Sequence, residues 1–298
     1  MDLRQLNYFL TIAEELNITK ASKRLNISQP PLSRALMDLE DELGCKLFVR
    51  GKRRLSLTPE GMALKRRSTQ ILDLTRMTKS EIIEMKSGIG GTIHLGLVDS
   101  NGPFLVADWI SAFKEEYPNV TYSLWSGNSD DLTDRLKEGL LDLALTMTPF
   151  NSEILDGFQV FEENWVAIIP NSHELAQKRR EYIKIKELAD TDLIIPSRHS
   201  RSGEINQWFA KYGIEPRFLI EIAHSSNAIQ LVSKGLGIAI FPASVAKNIP
   251  SVAGVTVKEL SPTAQVGYIL TWDNQKKPGV LAGRFVEFVR EMYAEVKE

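Results

Sequence analysis

The most constraining stretch of the sequence is NISQPPLSRALMDLE, residues 26–40, where two adjacent prolines stand at the head of a helical pattern. Leu32, Leu36 and Leu39 recur at spacings of four and three, which places them on one apolar helical face. Proline is poorly tolerated inside a helix but suits its first turn, where backbone N–H groups have no partner within the helix. The pattern therefore predicts a helix that begins at the prolines, with Ser28 as its N-cap.

Two shorter helical patterns precede this helix. Apolar residues on one face predict a first helix over about residues 3–15, and Thr19 can cap a short second helix. A three-residue turn at 26–28 leads into the third helix, which is expected to end before Gly44. Two helices joined by a tight turn form a helix-turn-helix, whose second helix enters the major groove of DNA.

The front of the third helix offers polar side chains suited to base edges and phosphates. Gln29 can pair with adenine, Arg34 with guanine or a phosphate, and Ser33 with either kind of group. Each of them is also what an ordinary solvated helix face carries, so the interpretation depends on their sharing one face. We predict DNA contacts from Ser28, Gln29, Pro30, Ser33 and Arg34.

A basic hairpin is predicted next. Phe48-Val49 and Leu55-Ser56-Leu57 have the pattern of two short strands around RGKRR at residues 50–54. A cationic hairpin beside a recognition helix is typical of a winged helix-turn-helix, and its tip contributes affinity through phosphates more than base selectivity. A solvated surface turn would have the same composition. The predicted wing contacts are Arg50, Lys52, Arg53 and Arg54.

The distribution of charge supports a nucleic-acid partner. Residues 1–88 hold 16 Lys and Arg against 11 Asp and Glu, a formal charge of +5, and the rest of the chain carries −7. A basic segment joined to an acidic body is typical of a polyanion-binding head, although chance can produce an excess of this size. The single Cys45 excludes an internal disulfide. With no long apolar run and no secretory leader, we expect a cytoplasmic protein without a membrane span.

A set of residues at fixed spacing extends over about forty positions, from Ala21 to Gly61. The set comprises Ala21, Leu25, Ser28-Gln29-Pro30, Ser33, Leu39-Glu40, Leu43-Gly44, Leu47-Phe48, Arg50 and Leu57-Thr58-Pro59-Glu60-Gly61. On these residues the sequence resembles the DNA-binding domain of LysR-type transcriptional regulators, with Pro31 in place of a smaller residue. The resemblance implies a homodimer or homotetramer that bends double-stranded promoter DNA. A small-molecule effector would then alter that bend and the contact with RNA polymerase.

A long helix is expected after the wing. Thr58 can cap it, Pro59 opens it, and it extends to about Met85, a length of about 40 Å at about 1.5 Å per residue. Its broken apolar stripe is too long for a small domain to bury, so pairing with a second copy is expected. Packing against the chain's own second domain is the alternative. The resemblance implies the same dimerising linker.

From Thr92 onward, apolar strands alternate with amphipathic helices, which predicts an α/β fold with mainly parallel sheets. The strand at 266–272 and the last helix are expected to return to the first half of this body, giving two sub-domains with a cleft. The resemblance implies a periplasmic-binding-protein-like fold. The predicted domains are 1–58 (winged helix-turn-helix), 59–88 (linker helix) and 89–298 (effector binding), the last divided into sub-domain I (92–161 and 268–298) and sub-domain II (162–267).

Polar turns follow four predicted strands, at residues 98–101, 126–129, 196–203 and 224–227. Helix N-termini attract anions, and open α/β sheets bind ligands beyond the carboxyl ends of their strands. Several helix starts should therefore face one crevice, with Arg198 and Arg201 as possible carboxylate partners, although ordinary capping explains any single serine. The predicted effector is a small organic anion. The predicted effector-binding residues, some of them raised by the resemblance, are Ser100, Asn101, Ser126, Thr146, Pro196, Ser197, Arg198, Ser226 and Phe241.

Two other classes of protein are less consistent with the sequence. An enzyme would have to use His199 or His224 near the cleft, because the histidines lack metal-ligand spacing and no GxSxG element occurs. The GIGG at 88–91 is too short for a phosphate-binding loop. A solute-binding protein would not need the basic winged head. We therefore expect no catalytic activity and no cofactor.

Overall fold

Helices α1 (Leu3–Glu15), α2 (Ile18–Arg24) and α3 (Gln29–Leu43) begin the chain. They are followed by strands β1 (Phe48–Arg50) and β2 (Leu55–Leu57) and by helix α4 (Pro59–Ser87). The computed structural model describes residues 1–50, 55–87, 90–197, 199–248 and 254–294. It divides into two units, Met1–Gly88 with Glu138–Leu140, and Ile89–Lys137 with Leu141–Glu298.

The core of the first unit comes from one face of each helix. Phe9 and Ile12 of α1 pack with Leu32 and Leu39 of α3, and all four side chains are buried. Burying each of them contributes about 1.5–3 kcal/mol. The left-handed backbone of Gly44, at φ 66°, ends α3 where the sequence predicted it. The periodicity of the sequence thus sets which side of α3 faces outward.

The capping of α2 differs from the prediction. Asn17 caps this helix, because its side-chain oxygen accepts a hydrogen bond from Lys20 N at 3.0 Å. The assignment of Thr19 as the cap is therefore wrong, since Thr19 lies inside the first turn. Ser28 does occupy the N-cap position of α3, with an extended backbone, but its side chain makes no capping hydrogen bond. Asn and Thr are both good caps, so composition could not choose between them.

The wing is tied to the start of α4 by a close backbone approach. Thr58 Oγ1 accepts from Gly61 N at 2.9 Å and donates to the Lys46 carbonyl at 2.8 Å. A Cβ atom added at Gly61 would lie 2.2 Å from the carbonyl oxygen of Leu47, so only glycine fits there. The buried carboxylate of Glu40 secures the same turn by accepting from Leu47 N at 2.9 Å.

Helix α4 is 29 residues long and leaves part of its apolar stripe uncovered. Leu74 is 39% exposed and Ile82 is 54% exposed, whereas Met77 is buried. Ser68 is also buried, and its hydroxyl has no hydrogen-bond partner among the described residues. None of the helices formed by the described residues is both long enough and apolar enough to cross a membrane.

The second unit alternates strands and helices. In chain order its elements are β3 (Gly91–Leu97), α5 (Gly102–Glu116), β4 (Val120–Ser126), α6 (Ser129–Lys137), β5 (Leu143–Met147), β6 (Leu155–Pro170), α7 (Glu174–Gln177), β7 (Tyr182–Lys184), β8 (Asp192–Pro196), α8 (His199–Ala210), β9 (Arg217–Ile222), α9 (Ser226–Ser233), β10 (Ile238–Pro242), β11 (Val255–Ser261), β12 (Gln265–Asp273) and α10 (Val280–Ala294). Short 3₁₀ turns lie at Ile185–Leu188 and Ala243–Asn248.

Strand β6 belongs to two half-sheets. The strand order is β4-β3-β5-β12-β6-β10-β8-β9, with β11 pairing with β6 and β7. Leu155–Asn164 of β6 pair with β12, and Trp165–Pro170 pair with β10 or β11. We name the β12 side, with α5, α6 and α10, the first lobe, and the β10 side, with α8 and α9, the second lobe. Parallel pairs lie at both ends, while β6 and β12 run antiparallel to their neighbours in the middle.

Each lobe has its own packed face. In the first lobe Phe285 of α10 packs edge-on against Trp109 and Phe113 of α5, with ring centroids 6.4 and 5.0 Å apart. In the second lobe, Ile168 and Ile194 of the sheet are buried with Val232 of α9. The last strand and helix therefore complete the first lobe, although the chain reaches them after the second.

Replacing Gly61 by alanine is expected to destabilise the first unit by about 2–3 kcal/mol, because the new methyl group meets a backbone carbonyl that cannot move aside. Gly44→Ala is the matched control, since its positive φ is strained but its Cβ would meet nothing within 4 Å. That substitution should cost about 1 kcal/mol. Calorimetric unfolding of the full chain measures both, and equal costs would contradict the steric account.

Candidate nucleic-acid interface and ligand cleft

The first two turns of α3, with the N-cap before them, present the predicted recognition residues. Gln29, Pro30 and Arg34 are exposed, Ser33 is half-buried, and Ser28 is exposed at the cap. The opposite face of the helix is held in the core by leucines, as described above, so these side chains have a fixed direction. Among the described residues, the guanidinium of Arg34 has no ion-pair partner. The arrangement leaves a cation and an amide together at a helix N-terminus, where both can contact a duplex.

Thr19 is a residue of this surface that the sequence interpretation assigned to capping. Its hydroxyl lies 3.4 Å from Gln29 Oε1, which joins the front of α2 to the front of α3. Lys20 beside it is exposed. The signal that could have found them is their place in the first turn of the helix that precedes the recognition helix.

The two strands of the wing are confirmed. Phe48 pairs with Leu57 and Arg50 with Leu55 in an antiparallel register. Leu55 N also donates to the Leu16 carbonyl at 3.1 Å, which attaches the wing to the end of α1. Lys52, Arg53 and Arg54 lie outside the described residues, as does the side chain of Arg50, so the wing contacts stay a prediction.

A cavity of about 360 Å³ lies between the two lobes of the second unit. The carboxyl ends of β3, β4 and β5 form one wall, and those of β8, β9 and β10 form the other. Four of the predicted effector residues, Ser100, Pro196, Ser197 and Phe241, line it. Sequence reasoning missed Asp99, Trp165 and Ser225, which also line it. Asp99 and Ser225 lie in the polar turns already singled out, whereas Trp165 lies inside a strand that gave no such signal.

The other predicted effector residues are not in this lining. Thr146 is fully buried and lines a neighbouring cavity of about 380 Å³. Asn101 is buried beside Ser100. Ser126 and Ser226 are exposed next to the lining residues Gly127 and Ser225, and Arg198 lies outside the described residues.

Ser100 has an unusual conformation for a residue with a side chain. Its backbone lies in the left-handed region at φ 73°, which costs a non-glycine residue about 1–3 kcal/mol. The residue is 8% exposed, and its hydroxyl has no hydrogen-bond partner within the described ranges. A serine hydroxyl that bonds to no other described residue, at a cavity wall, is suited to bind a polar ligand atom.

Capping at the cavity follows the prediction in the 126–129 turn and differs from it in two others. Asn128 Oδ1 accepts from the N–H groups of Asp130 and Asp131 at 2.9 Å and so caps α6. Asn101 and Ser225 hold the N-cap positions of α5 and α9 without a side-chain capping bond. The side-chain polar groups of Asn101 and Ser225 therefore make no capping bond to the helices that these residues begin.

Acidic groups lie on one wall of the cavity, and a histidine lies beside the other. Asp99, Asp130 and Asp131 belong to the first lobe. His224 of the second lobe places Nδ1 2.9 Å from Asp99 Oδ2, so this pair connects the two lobes at the cavity. In the described part of the chain, no three His, Cys, Asp or Glu side chains come together as a metal site.

Two family models match the chain. Residues 3–62 match the bacterial regulatory helix-turn-helix protein, lysR family, and residues 86–294 match the LysR substrate binding domain. The HTH-type transcriptional regulator BsdA of Bacillus subtilis (strain 168) is 34% identical over 249 residues, which cover 82% of this chain and 85% of BsdA. BenM of Acinetobacter baylyi (strain ATCC 33305 / BD413 / ADP1) is 28% identical over 300 residues, covering 99% of this chain and 97% of BenM.

Solved structures agree with this relationship. The crystal structure of CbnR, a LysR family transcriptional regulator, matches with a TM-score of 0.79 at 25% identity, covering 98% of this chain and 99% of CbnR. Full-length CbnR complexed with its target DNA matches with a TM-score of 0.76 at 26% identity and the same coverage. The named relatives are regulators of transcription and not enzymes. The winged helix-turn-helix and the two-lobed α/β body are thereby confirmed, and the chain belongs to the LysR family of DNA-binding transcriptional regulators with an effector-binding domain.

Proposed function

We propose that the front of α3 reads base edges in the major groove of promoter DNA, with Gln29 and Arg34 as the main contacts. The observation that carries the proposal is the exposure of both side chains on the first two turns of a helix whose other face is buried. Ser28, Pro30 and Ser33 shape the same surface. Arg50, Lys52, Arg53 and Arg54 of the wing bind phosphates, which adds affinity that weakens with salt.

The chain acts as a homodimer or homotetramer through α4. Leu74 and Ile82 leave apolar surface exposed along this helix, which a second copy can cover. Two copies then place two recognition helices on neighbouring half-sites of the operator. We assign residues 1–58 to DNA binding, 59–88 to dimerisation and 89–298 to effector binding, the last with sub-domains 92–161 plus 268–298 and 162–267.

The effector is a small organic anion held in the cavity between the lobes. A volume of about 360 Å³ suits a small metabolite. The hydroxyls of Ser197 and Ser225 on the second-lobe wall can donate hydrogen bonds to a carboxylate, and the hydroxyl of Ser100 on the first-lobe wall can bind another polar atom of the ligand. Because Asp99, Asp130 and Asp131 occupy the first-lobe wall, the anionic group faces the second lobe, on the side of the loop that leads to Arg198. Effector binding alters DNA bending and the contact with RNA polymerase. The protein acts in the cytoplasm, where it binds the promoter.

Gln29→Ala and Arg34→Ala should each weaken binding to the specific promoter site by about 1–3 kcal/mol and relax base preference at one position. Fluorescence anisotropy on a promoter fragment selected from genomic DNA by the wild-type protein measures this. Arg24→Ala is the control, since this exposed arginine pairs with Glu14 and Glu15 at the far end of α2. Unchanged affinity and base preference in the double variant would overturn the proposal.

Ser100→Ala should weaken effector binding about tenfold, because the ligand loses a hydrogen bond in a desolvated site. Titration calorimetry of the full-length protein with mono- and dicarboxylic acids identifies the ligand and measures the loss. Ser126→Ala is the matched control, a nearby exposed serine outside the cavity lining. The idea is refuted if no acid binds the wild type, or if both serine variants lose affinity equally.

A further inference from the structure

A hydrogen-bonded cluster lies behind the cavity, at the point where β6 passes from one half-sheet to the other. We name it the hinge cluster, and it consists of Asn101, Glu163, Ser244 and Tyr268. Tyr268 of β12 is fully buried, and its hydroxyl donates to Glu163 Oε1 at 2.5 Å. Glu163 is one of the last residues of β6 to pair with β12, in register with Val266. The carboxylate therefore sits at the junction of the lobes.

The same carboxylate binds the second lobe. Ser244 N donates to Glu163 Oε2 at 2.5 Å, and Ser244 Oγ donates to Oε1 at 2.7 Å. Ser244 lies just after β10 and is buried. One carboxylate thus accepts hydrogen bonds from a first-lobe tyrosine and from a second-lobe serine, which are otherwise on separate half-sheets.

Both ends of the hinge cluster reach the cavity walls. Asn101 follows Ser100 directly, and its N–H donates to the Tyr268 hydroxyl at 3.4 Å. Its side-chain oxygen accepts from Lys247 Nζ of the second lobe at 3.1 Å. Ser244 lies two residues after Pro242, which lines the opposite wall of the cavity. The hydrogen bonds of the hinge cluster therefore connect the two cavity walls through a few polar contacts.

The donor of the central bond is a buried tyrosine hydroxyl. Burial first, and then the negative charge of Glu163, raise the pKa of Tyr268 above its usual value. The hydroxyl consequently remains protonated and continues to donate across the physiological range. A charge-assisted hydrogen bond of this kind is stronger than one between neutral groups.

We propose that Glu163 and Tyr268 are positioning residues that couple the two walls of the effector cavity, so that a ligand moving the Ser100 corner also moves the second lobe. The inference rests on the proposed function of that cavity. Neither residue lines the cavity itself. The competing account is that the network only stabilises the fold, in which case its loss would be felt locally.

Amide hydrogen exchange of the full-length protein separates the two accounts. In Tyr268→Phe, which keeps the buried ring, exchange in residues 243–247 of the second lobe should accelerate about tenfold, because the Glu163 carboxylate that binds Ser244 loses the first-lobe hydrogen bond that orients it. Tyr293→Phe is the matched control. It removes the hydroxyl of a half-buried tyrosine, the acceptor of Trp109 Nε1 at 3.1 Å, within the first lobe alone. Glu163→Gln should reproduce the effect, and it serves in place of Tyr268→Phe if that variant fails to fold.

Acceleration confined to β12 and the first lobe, or an equal effect of Tyr293→Phe on residues 243–247, overturns the coupling.

A second experiment repeats the exchange measurement in the presence of each acid of the carboxylic-acid panel. An acid that binds the wild type should slow exchange in residues 243–247, and the slowing should be lost in Tyr268→Phe while binding persists. If no acid binds, the proposed effector class fails, but the exchange result without ligand still decides the coupling. If an acid binds and still slows exchange in residues 243–247 of Tyr268→Phe, the coupling role of Glu163 and Tyr268 is refuted and the proposed function stands.

Discussion

The passage of one strand through both half-sheets is the constraint on which the second unit depends. Strand β6 is 16 residues long, and it gives its first part to β12 and its second to β10 and β11. The strand joins the two lobes covalently, while each of its two parts is paired within one lobe. That geometry creates a cavity at the carboxyl ends of the flanking parallel strands and places Glu163 where both lobes can bond to it.

The first unit depends on a different constraint, the rigid placement of the recognition helix. A recognition helix must show polar groups to DNA and still be held rigidly, and α3 does so because Leu32 and Leu39 are buried while Gln29 and Arg34 are exposed. The close contact of Gly61 with the chain at Leu47 fixes the wing against the next helix. Rigid placement matters here because hydrogen bonds to base edges tolerate little misalignment.

Much of the fold could be predicted from the sequence, because long amphipathic patterns and prolines carry strong local signals. The bounds of α1 and α3 and the strands of the wing followed from them. The first part of β6 was missed, since its residues mix buried and exposed positions without a clean alternation, and the short strands β7 and β11 were missed altogether. The return of β12 to the first lobe came from family resemblance, because periodicity carries no information on which strands become neighbours.

Within the site, the polar turns were found but not always the right residue in each. Ser126 and Ser226 each lie one position from a cavity-lining residue, because the direction of a side chain in a turn depends on backbone angles that composition does not specify. No sequence pattern predicted the left-handed backbone of Ser100. Its energetic consequence is that this corner of the cavity stores backbone strain. A ligand that lets the backbone at Ser100 relax would gain part of its affinity from the release of that strain, in addition to the contacts that it makes.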